Sequence, residues 1–352
     1  MIAIVGGGIV GLSIGYALSK RGVAVTVLEG ATIASGASGV ATSYLEPRLG
    51  HSPVRAVEWE GLKRWPALVR DLESETGRNL GLRREGQIRI ALPGDEEKFE
   101  RDLAERREQG WKVELLSQAK LAKREPALTS HISAAAHLPT VQWLNGRQAC
   151  LAMADAIAAS GGHVYENWSV RQIDPLEGSV RLTGPDGNRL NADKVILCSG
   201  MGMNEVLGLP DDVPENRAVR GVNLTFDMSG LSNPLIHLIK HNRGTLCPRG
   251  DRLIVGTTYE HGVTDTEPDE TVVKKVIASA ERVLPHLRDL PLLKKAAGIR
   301  TKVADGSLHL GRSASHPEVY YSLGHSGAGF LRAPVLAEQM AEFILSDETG
   351  EI

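Results

Sequence analysis

The sequence predicts an α/β protein in which a parallel, doubly wound sheet is assembled from the start, middle and end of the chain, with segments of an antiparallel sheet inserted between them. Three observations predict it. Residues 1–29 read as an apolar strand, a glycine turn, a helix and a second strand, the order that makes a parallel pair. Two further apolar runs, Val195 to Cys198 and Val319 to Leu323, lead into Ser199-Gly200 and into the glycine loop Gly324 to Gly329. Between these lie an alternating stretch, residues 86–92 (GQIRIAL), and strands over 218–226 and 252–257 separated by polar loops, as antiparallel sheets require.

The first thirty residues carry the most information. Ile2 to Val5 is followed by Gly6-Gly7-Gly8-Ile9-Val10-Gly11, a Gly-x-Gly-x-x-Gly pattern between a strand and a helix. Gly6 permits a tight turn and Gly8 lets the backbone approach a pyrophosphate. Gly11 lets helix and strand pack closely, and the helix N-terminus presents free N–H groups to phosphate. The helix runs through Leu12, Ile14, Ala17 and Leu18 and stops at Gly22. The strand Val23 to Leu28 ends beside Glu29, 18 residues past Gly11, where a carboxylate accepts ribose hydroxyls and repels a 2′-phosphate. The chain is therefore expected to bind an adenine dinucleotide other than NADP.

The remaining elements follow in order. Ala31 to Ser43 (ATIASGASGVATS) is too polar and small for a core helix and suits a ligand-lining loop. A helix is predicted over Pro53 to Glu75, with Trp59, Leu62, Trp65, Leu68, Val69 and Leu72 as its core face. The charged run Asp95 to Gln109 reads as an exposed helix. Leu151 to Ala159 reads as an apolar helix capped by Gly161-Gly162, with a strand around Val164. Asp269 to Leu284 is amphipathic, with Val272, Val276, Ala280 and Val283 on one face and Pro285 ending it. The last helix is predicted from Pro334 to about Leu345, the proline suiting a first turn. A nicotinamide enzyme would keep its cofactor half contiguous; this interleaving points to a flavin enzyme.

Composition narrows the partners. A chain of 352 residues has room for about two domains. Forty basic against 43 acidic residues, net charge −3, gives no electrostatic case for nucleic acid or an anionic membrane. Short basic clusters such as Arg83-Arg84 and Lys274-Lys275 read as solvated faces. Cys150, Cys198 and Cys247 lack metal-ligand or redox spacing, so no metal is expected and a reducing compartment is. No apolar run reaches membrane-spanning length, and the apolar N-terminus lacks a basic leader, so the cytoplasm is the expected location.

With these segments placed, the chain resembles the D-amino-acid oxidase family of FAD enzymes over nearly its full length, and within it looks like the glycine oxidases of thiazole biosynthesis. The resemblance rests on IAIVGGGIVGLSIGYAL with Glu29, GASGVATSYLEP, REGQIRIAL, VILCSGMGMNEVL, CPRGDRLIVGTTYE, and AGIRTKVADGSLHLGR leading to YYSLGHSGAGFLRAPVLAEQMAEFI. It implies a Rossmann-like FAD-binding domain of the GR2 type (residues 1–82, 141–215 and 299–352) interleaved with an antiparallel-sheet substrate domain (83–140 and 216–298).

The resemblance also implies non-covalent FAD contacts, since the sarcosine branch's attachment cysteine is missing beside Arg300. Ile9 and Val10 would meet the pyrophosphate, and Glu29 and Gly30 the adenosine ribose. Ala37, Ser38, Thr42, Ser43 and Tyr44 would follow the pyrophosphate, ribityl chain and ring, and Val170 the adenine. Gly200 lies at a strand end that would again approach the dinucleotide. Gly324, His325, Ser326, Gly327, Ala328, Gly329, Phe330 and Leu331 would meet the flavin pyrimidine, where a glycine loop feeding a helix N-terminus favours the negative charge of the reduced ring.

Arg300 is the implied holder of a substrate carboxylate, its planar fork matching two oxygens. Thr245 stands where glycine oxidases place a pocket tyrosine, and Gly327 where they carry an arginine in a loop that here looks more like the sarcosine and N-methyl amino acid oxidase branch. These losses point to a substrate bulkier than glycine or one carrying an N-substituent. His241, Arg243 and Tyr259 flank the matching strands. The expected reaction passes hydride from the substrate α-carbon to flavin N5, with the imine hydrolysed to an oxo acid and an amine; no catalytic side chain is required. Oxygen or another electron acceptor completes it, and homo-oligomers are common among such enzymes. Three other readings remain: a dehydrogenase of amino acids or opines that passes electrons to a partner protein, a tRNA-modifying flavin oxidase, against which the lack of a basic face counts, and a flavin-binding protein without catalysis.

Overall fold

The computed structural model describes residues 1–50, 54–242 and 244–349. A six-stranded sheet runs in the order His309–Arg312, Val319–Leu323, Lys194–Leu197, Ile2–Val5, Val25–Leu28, His163–Tyr165. Every pair is parallel except the first. Its strands alternate between two apolar layers, as a sheet covered on both faces must. Ile2, Ile4, Val25, Val27 and Ile196 face a helical layer, and Ala3, Val5, Leu28, Val195 and Leu197 face a small sheet of Gln172–Leu176, Ser179–Thr183 and Arg189–Ala192.

The helical layer is Ile9–Ser19, Gly146–Ala159 and Gly329–Thr349. The first of these closes as its sequence predicts. Gly22, at φ +76°, donates to the Ser19 carbonyl at 3.0 Å, and Val23 donates to the Leu18 carbonyl at 3.2 Å, the paired bonds of a Schellman end. Val23 is spent on that turn, so the second strand starts at Val25.

A nine-stranded, mostly antiparallel sheet forms the other half. Its spine is a pair of 12-residue strands, Asn216–Asp227 and Leu292–Val303, with Val219 opposite Arg300 and Gly221 opposite Gly298. Gln87–Ala91, Ala134–Leu138, Leu238–His241, Gly244–Arg249 and Arg252–Gly256 extend it, and among the described residues of this sheet only Leu238–His241 and Gln87–Ala91 pair in parallel. The helix Glu270–Glu281 covers one face, capped by Asp269, whose Oδ1 accepts from the Thr271 and Val272 N–H groups.

Some expected boundaries move. The helix expected over Leu151 to Ala159 starts at Gly146, capped by Asn145. That over Asp269 to Leu284 ends at Glu281, with Val273 and Ala280 buried and Val272 and Val276 only partly so. The Pro53 to Glu75 helix is Val54–Thr76, Pro53 lying outside the described residues. The exposed helix Glu96–Glu108 buries Phe99, Leu103 and Arg106.

The largest correction concerns the C-terminal helix, which begins at Gly329 and carries Pro334 inside it. An interior proline strips the carbonyl four residues back of its donor. Here that carbonyl belongs to Phe330, and the indole Nε1 of Trp65 donates to it at 2.8 Å. One turn earlier on the same helix, a Cβ on Gly61 would overlap the Leu331 carbonyl. Glu58 pairs with the buried Arg332 at 2.7 Å. Residues 58, 61 and 65 thus form one face that grips the start of the last helix.

Candidate active site

Because the strands of the six-stranded sheet are in register, Val5, Leu28, Leu197 and Tyr321 end side by side. Gly6, Glu29, Cys198 and Ser322 therefore open at one edge, the edge at which ligands bind in such sheets. The opening is a cleft of about 670 Å3 roofed by the antiparallel sheet. Gly6, at φ +116°, leaves no room for a Cβ beside the Cys198 carbonyl, and a Cβ on Gly11 would overlap the Gly6 carbonyl. These two glycines are thus required by turn and packing.

Glu29 is fixed toward the turn: its carboxylate accepts from Gly7 N–H at 2.7 Å, Ala31 N–H at 2.9 Å and Ser35 Oγ at 3.3 Å. A carboxylate has about four lone-pair sites, so capacity for hydroxyl donors remains. Ser38 Oγ accepts from Ile9 N–H at 3.0 Å, satisfying a first-turn donor of the helix. The small-residue segment is tied to the antiparallel sheet at two places. Asn223 Nδ2 donates to the Val40 carbonyl at 2.7 Å, and Arg249 Nη2 donates to the Thr42 carbonyl at 3.0 Å.

Of the sequence-predicted residues, Gly6, Gly8, Ile9, Val10, Glu29, Gly30, Ala37, Ser38, Thr42, Ser43, Tyr44, Val170, Gly200, His325, Ser326, Gly327, Gly329 and Phe330 line the cleft, as do Arg300 and Tyr259. Gly11, Gly324, Ala328 and Leu331 support it from behind. Gly324, at φ +76°, lies against the Ser307 carbonyl, and Ala328 and Leu331 are buried. Thr245 and His241 are not on the cleft; both line a second, adjoining pocket. Arg243 lies outside the described residues. Asn223, Ser199 and Thr257 also line the cleft; Ser199 and Thr257 fall within motifs quoted from the sequence, and Asn223 carries none. Ala34, Ser43 and Ser326 have φ between 51° and 57°, so strained non-glycine backbone gathers at this cleft.

Arg300 is half-buried at the sheet end of the cleft. Its Nη2 donates to Thr257 Oγ1 at 2.6 Å and its Nη1 to the Thr258 carbonyl at 3.1 Å, while its guanidinium sits 4.6 Å from the Tyr259 ring centroid. These partners are neutral, so they orient the fork and leave its charge for an incoming anion. A Cβ on Gly221 would collide with the guanidinium, and one on Gly327 would meet its stem at 3.8 Å. Gly221 keeps this position open, whereas a side-chain carbon at Gly327 would make only ordinary contact.

Burial moves two kinds of group at the site. His325 is desolvated, which pulls its pKa down to about 4 against an opposing bond with the Ser322 backbone, so the ring is neutral at pH 7. Burial pushes the Cys198 thiol up to about 12, so it is no nucleophile. Under Tyr44 lies an ionic network that sequence reasoning missed. Lys240, Arg89 and Arg106 each reach Glu46 within 2.8 Å, and both arginines also pair with Asp102. Burial alone would raise the Glu46 carboxyl, but the three cations outweigh it and hold it well below the usual range.

The chain matches the family of FAD dependent oxidoreductases (DAO) over residues 1–343. It belongs to that family. It is 26% identical over 357 residues to glycine oxidase of Geobacillus kaustophilus (strain HTA426), covering 99% of this chain and 94% of the relative. It is 24% identical to one of the subunits of an opine oxidase from Agrobacterium tumefaciens (strain Ach5), covering 99% and 95%. The crystal structure of glycine oxidase from Geobacillus kaustophilus superposes with a TM-score of 0.89 at 25% identity, covering 97% of this chain and 94% of that one.

FAD is the family's cofactor, and the cleft of this family member fits it. Three buried polar atoms that line the cleft have no partner among the described residues: Ser199 Oγ, Asn223 Oδ1 and His325 Nδ1. Groups desolvated in this way call for a partner, either a bound ligand or ordered water. The glycine turn, Glu29 and the 37–44 segment supply the donors and acceptors a dinucleotide requires. Among the described residues no helix is long and apolar enough to cross a membrane, and no cluster of three metal-ligating side chains occurs.

Proposed function

We propose that this chain oxidises the Cα–N bond of an amino acid or N-substituted amino acid. The observation that carries this is Arg300, a guanidinium on the cleft whose partners among the described residues are neutral oxygens and an aromatic ring. Arg300 binds the substrate carboxylate through its fork, Thr257 and Thr258 fix the plane of that fork, and Tyr259 covers its outer face. The anchored carboxylate restricts where the adjacent α-carbon sits, which is most of what such a reaction asks of a protein. Bound FAD would accept the two electrons released at the Cα–N bond, and water then splits the resulting imine into an oxo acid and an amine. Cofactor contacts are assigned to the residues placed on the cleft above.

The similarity to glycine oxidase supports an oxidase. The similarity to a protein that is one subunit of an opine oxidase favours a second reading, in which electrons leave through a partner protein. Anaerobic addition of glycine, sarcosine, D- and L-amino acids and opines, followed by the visible flavin band, tests the chemistry. Bleaching by one class is expected, and a band that none of them bleaches refutes the proposal. Oxygen consumption against dye reduction then separates oxidase from dehydrogenase.

A further inference from the structure

Gly221 faces Arg300, since a Cβ there would collide with the guanidinium. Arg220, one residue earlier on the same strand, therefore points to the opposite face of the sheet. It is buried, and the short strand Glu260–His261 sets Glu260 directly across from it. Arg220 Nη2 donates to Glu260 Oε2 at 2.6 Å, while its Nη1 donates to the Glu267 carbonyl at 3.1 Å and the Asp265 carbonyl at 3.4 Å. One guanidinium thus closes residues 260–267 into a loop, which brings Thr266 to the cleft.

Thr258 joins the two faces. Its Oγ1 donates to Glu260 Oε1 at 2.7 Å and accepts from Val222 N–H at 3.0 Å, and its carbonyl accepts from Arg300 Nη1 at 3.1 Å. Arg220, Glu260, Thr258 and Arg300 therefore form one continuous chain of hydrogen bonds. Tyr259, between its two middle members, supplies the ring against the Arg300 guanidinium. Residues 257–259 lie between the strands Arg252–Gly256 and Glu260–His261, outside any ladder. Side-chain bonds must then aim the Thr258 carbonyl. Burial alone would raise the Glu260 carboxyl, but the bonds from Arg220 and Thr258 outweigh it and hold it below the usual carboxylate range, so the pair is charged at neutral pH.

We propose that Arg220 and Glu260 are positioning residues for substrate binding: their ion pair fixes Thr258 so that its carbonyl sets the plane of the Arg300 fork. The inference rests on the proposed role of Arg300 as the carboxylate anchor and adds the residues that act through it. The sign of the effect separates this role from plain electrostatics. Neutralising Glu260 removes a negative charge near the site, which by itself strengthens binding of an anion; losing the alignment weakens it.

Acetate, the simplest carboxylate probe, is titrated against the visible flavin band of the FAD-loaded full chain, with acetamide as the uncharged control. Glu260→Gln is expected to raise the half-saturating acetate concentration about three- to tenfold, the scale of one hydrogen bond, and to leave the response to acetamide unchanged. Thr258→Val, which loses the hydroxyl and keeps the carbonyl, is expected to weaken acetate likewise, and Thr258→Ser to restore it; this pair carries the test should Glu260→Gln fail to retain FAD. In the Arg300→Lys protein, whose point charge needs no plane, adding Glu260→Gln is expected to cause no weakening. Acetate binding that Glu260→Gln and Thr258→Val leave unchanged or strengthen overturns the proposal, as does equal weakening in the Arg300 and Arg300→Lys proteins. In either case Arg300 stands as the anchor if Arg300→Ala abolishes the acetate response. If acetate leaves the wild-type band unmoved, or moves that of Arg300→Ala equally, the carboxylate anchor fails and the positioning role with it.

Discussion

Trp65 donates its indole N–H to the carbonyl oxygen of Phe330 at 2.8 Å, across 265 positions of sequence. That oxygen is the one Pro334 cannot serve, and Phe330 lines the cleft, so a single bond joins helix integrity to the cofactor site. Trp65→Phe keeps an aromatic ring but orphans the carbonyl. A loss of about 1–3 kcal/mol in urea unfolding is expected, with weaker FAD retention. An unchanged midpoint would show that the proline-freed carbonyl finds another donor.

Glu58 and Arg332 make the second tie between the same helices, both essentially buried, and Glu58 also accepts from the Arg48 backbone N–H at 2.8 Å. Removing one partner of such a pair leaves an uncompensated charge. Glu58→Ala is expected to cost about 3–5 kcal/mol, and Glu58→Met/Arg332→Met to recover part of it, because the two buried charges leave together while the Arg48 guanidinium, which also pairs with Glu58 at 2.8 Å, is exposed enough to be solvated. Denaturant titration of the single and double variants checks this; a double variant as unstable as the single one would contradict it.

These two ties explain what the sequence could and could not reveal. The glycine turn, Glu29, the parallel strands and the Gly22 stop are local: spacing and period expose them. The start of the last helix is not local, because whether Pro334 opens a helix or sits within one depends on a donor held 265 residues away. Glu58 looks like any charge on a helix until Arg332 is folded onto it. Thr245 stands two residues before a matched segment, yet it lines the adjoining pocket rather than the cleft, which residue spacing along its strand cannot show. The Glu46 network is hidden for the same reason, its cations coming from three separate segments.

His325 gives the site a pH dependence whose sign is fixed. Its folded pKa is depressed to about 4 by burial, below the ordinary 6.5, so the unfolded chain takes the proton first. The contribution is fully present above about pH 6.5 and is lost as pH falls toward 4, by about 3 kcal/mol at the lower end. FAD release followed by flavin fluorescence is expected to rise through this window. His325→Asn, which cannot protonate, should flatten that limb; the same acid limb in the variant would assign it to other groups.

Arg300 supplies the sharpest functional prediction. Arg300→Ala removes the guanidinium and leaves Thr257 and Thr258 free to bind water at the partly open site, so the fold and the bound flavin should survive. Losing a partly buried charge-assisted contact is expected to lower kcat/KM for a carboxylate substrate by about 2–5 kcal/mol, mostly through KM. Arg300→Lys keeps the charge without the two-pronged geometry and should fall between the two. The same substrates without a carboxylate should be turned over equally by all three proteins. A carboxylate substrate unaffected by Arg300→Ala would place its binding group elsewhere in the cleft.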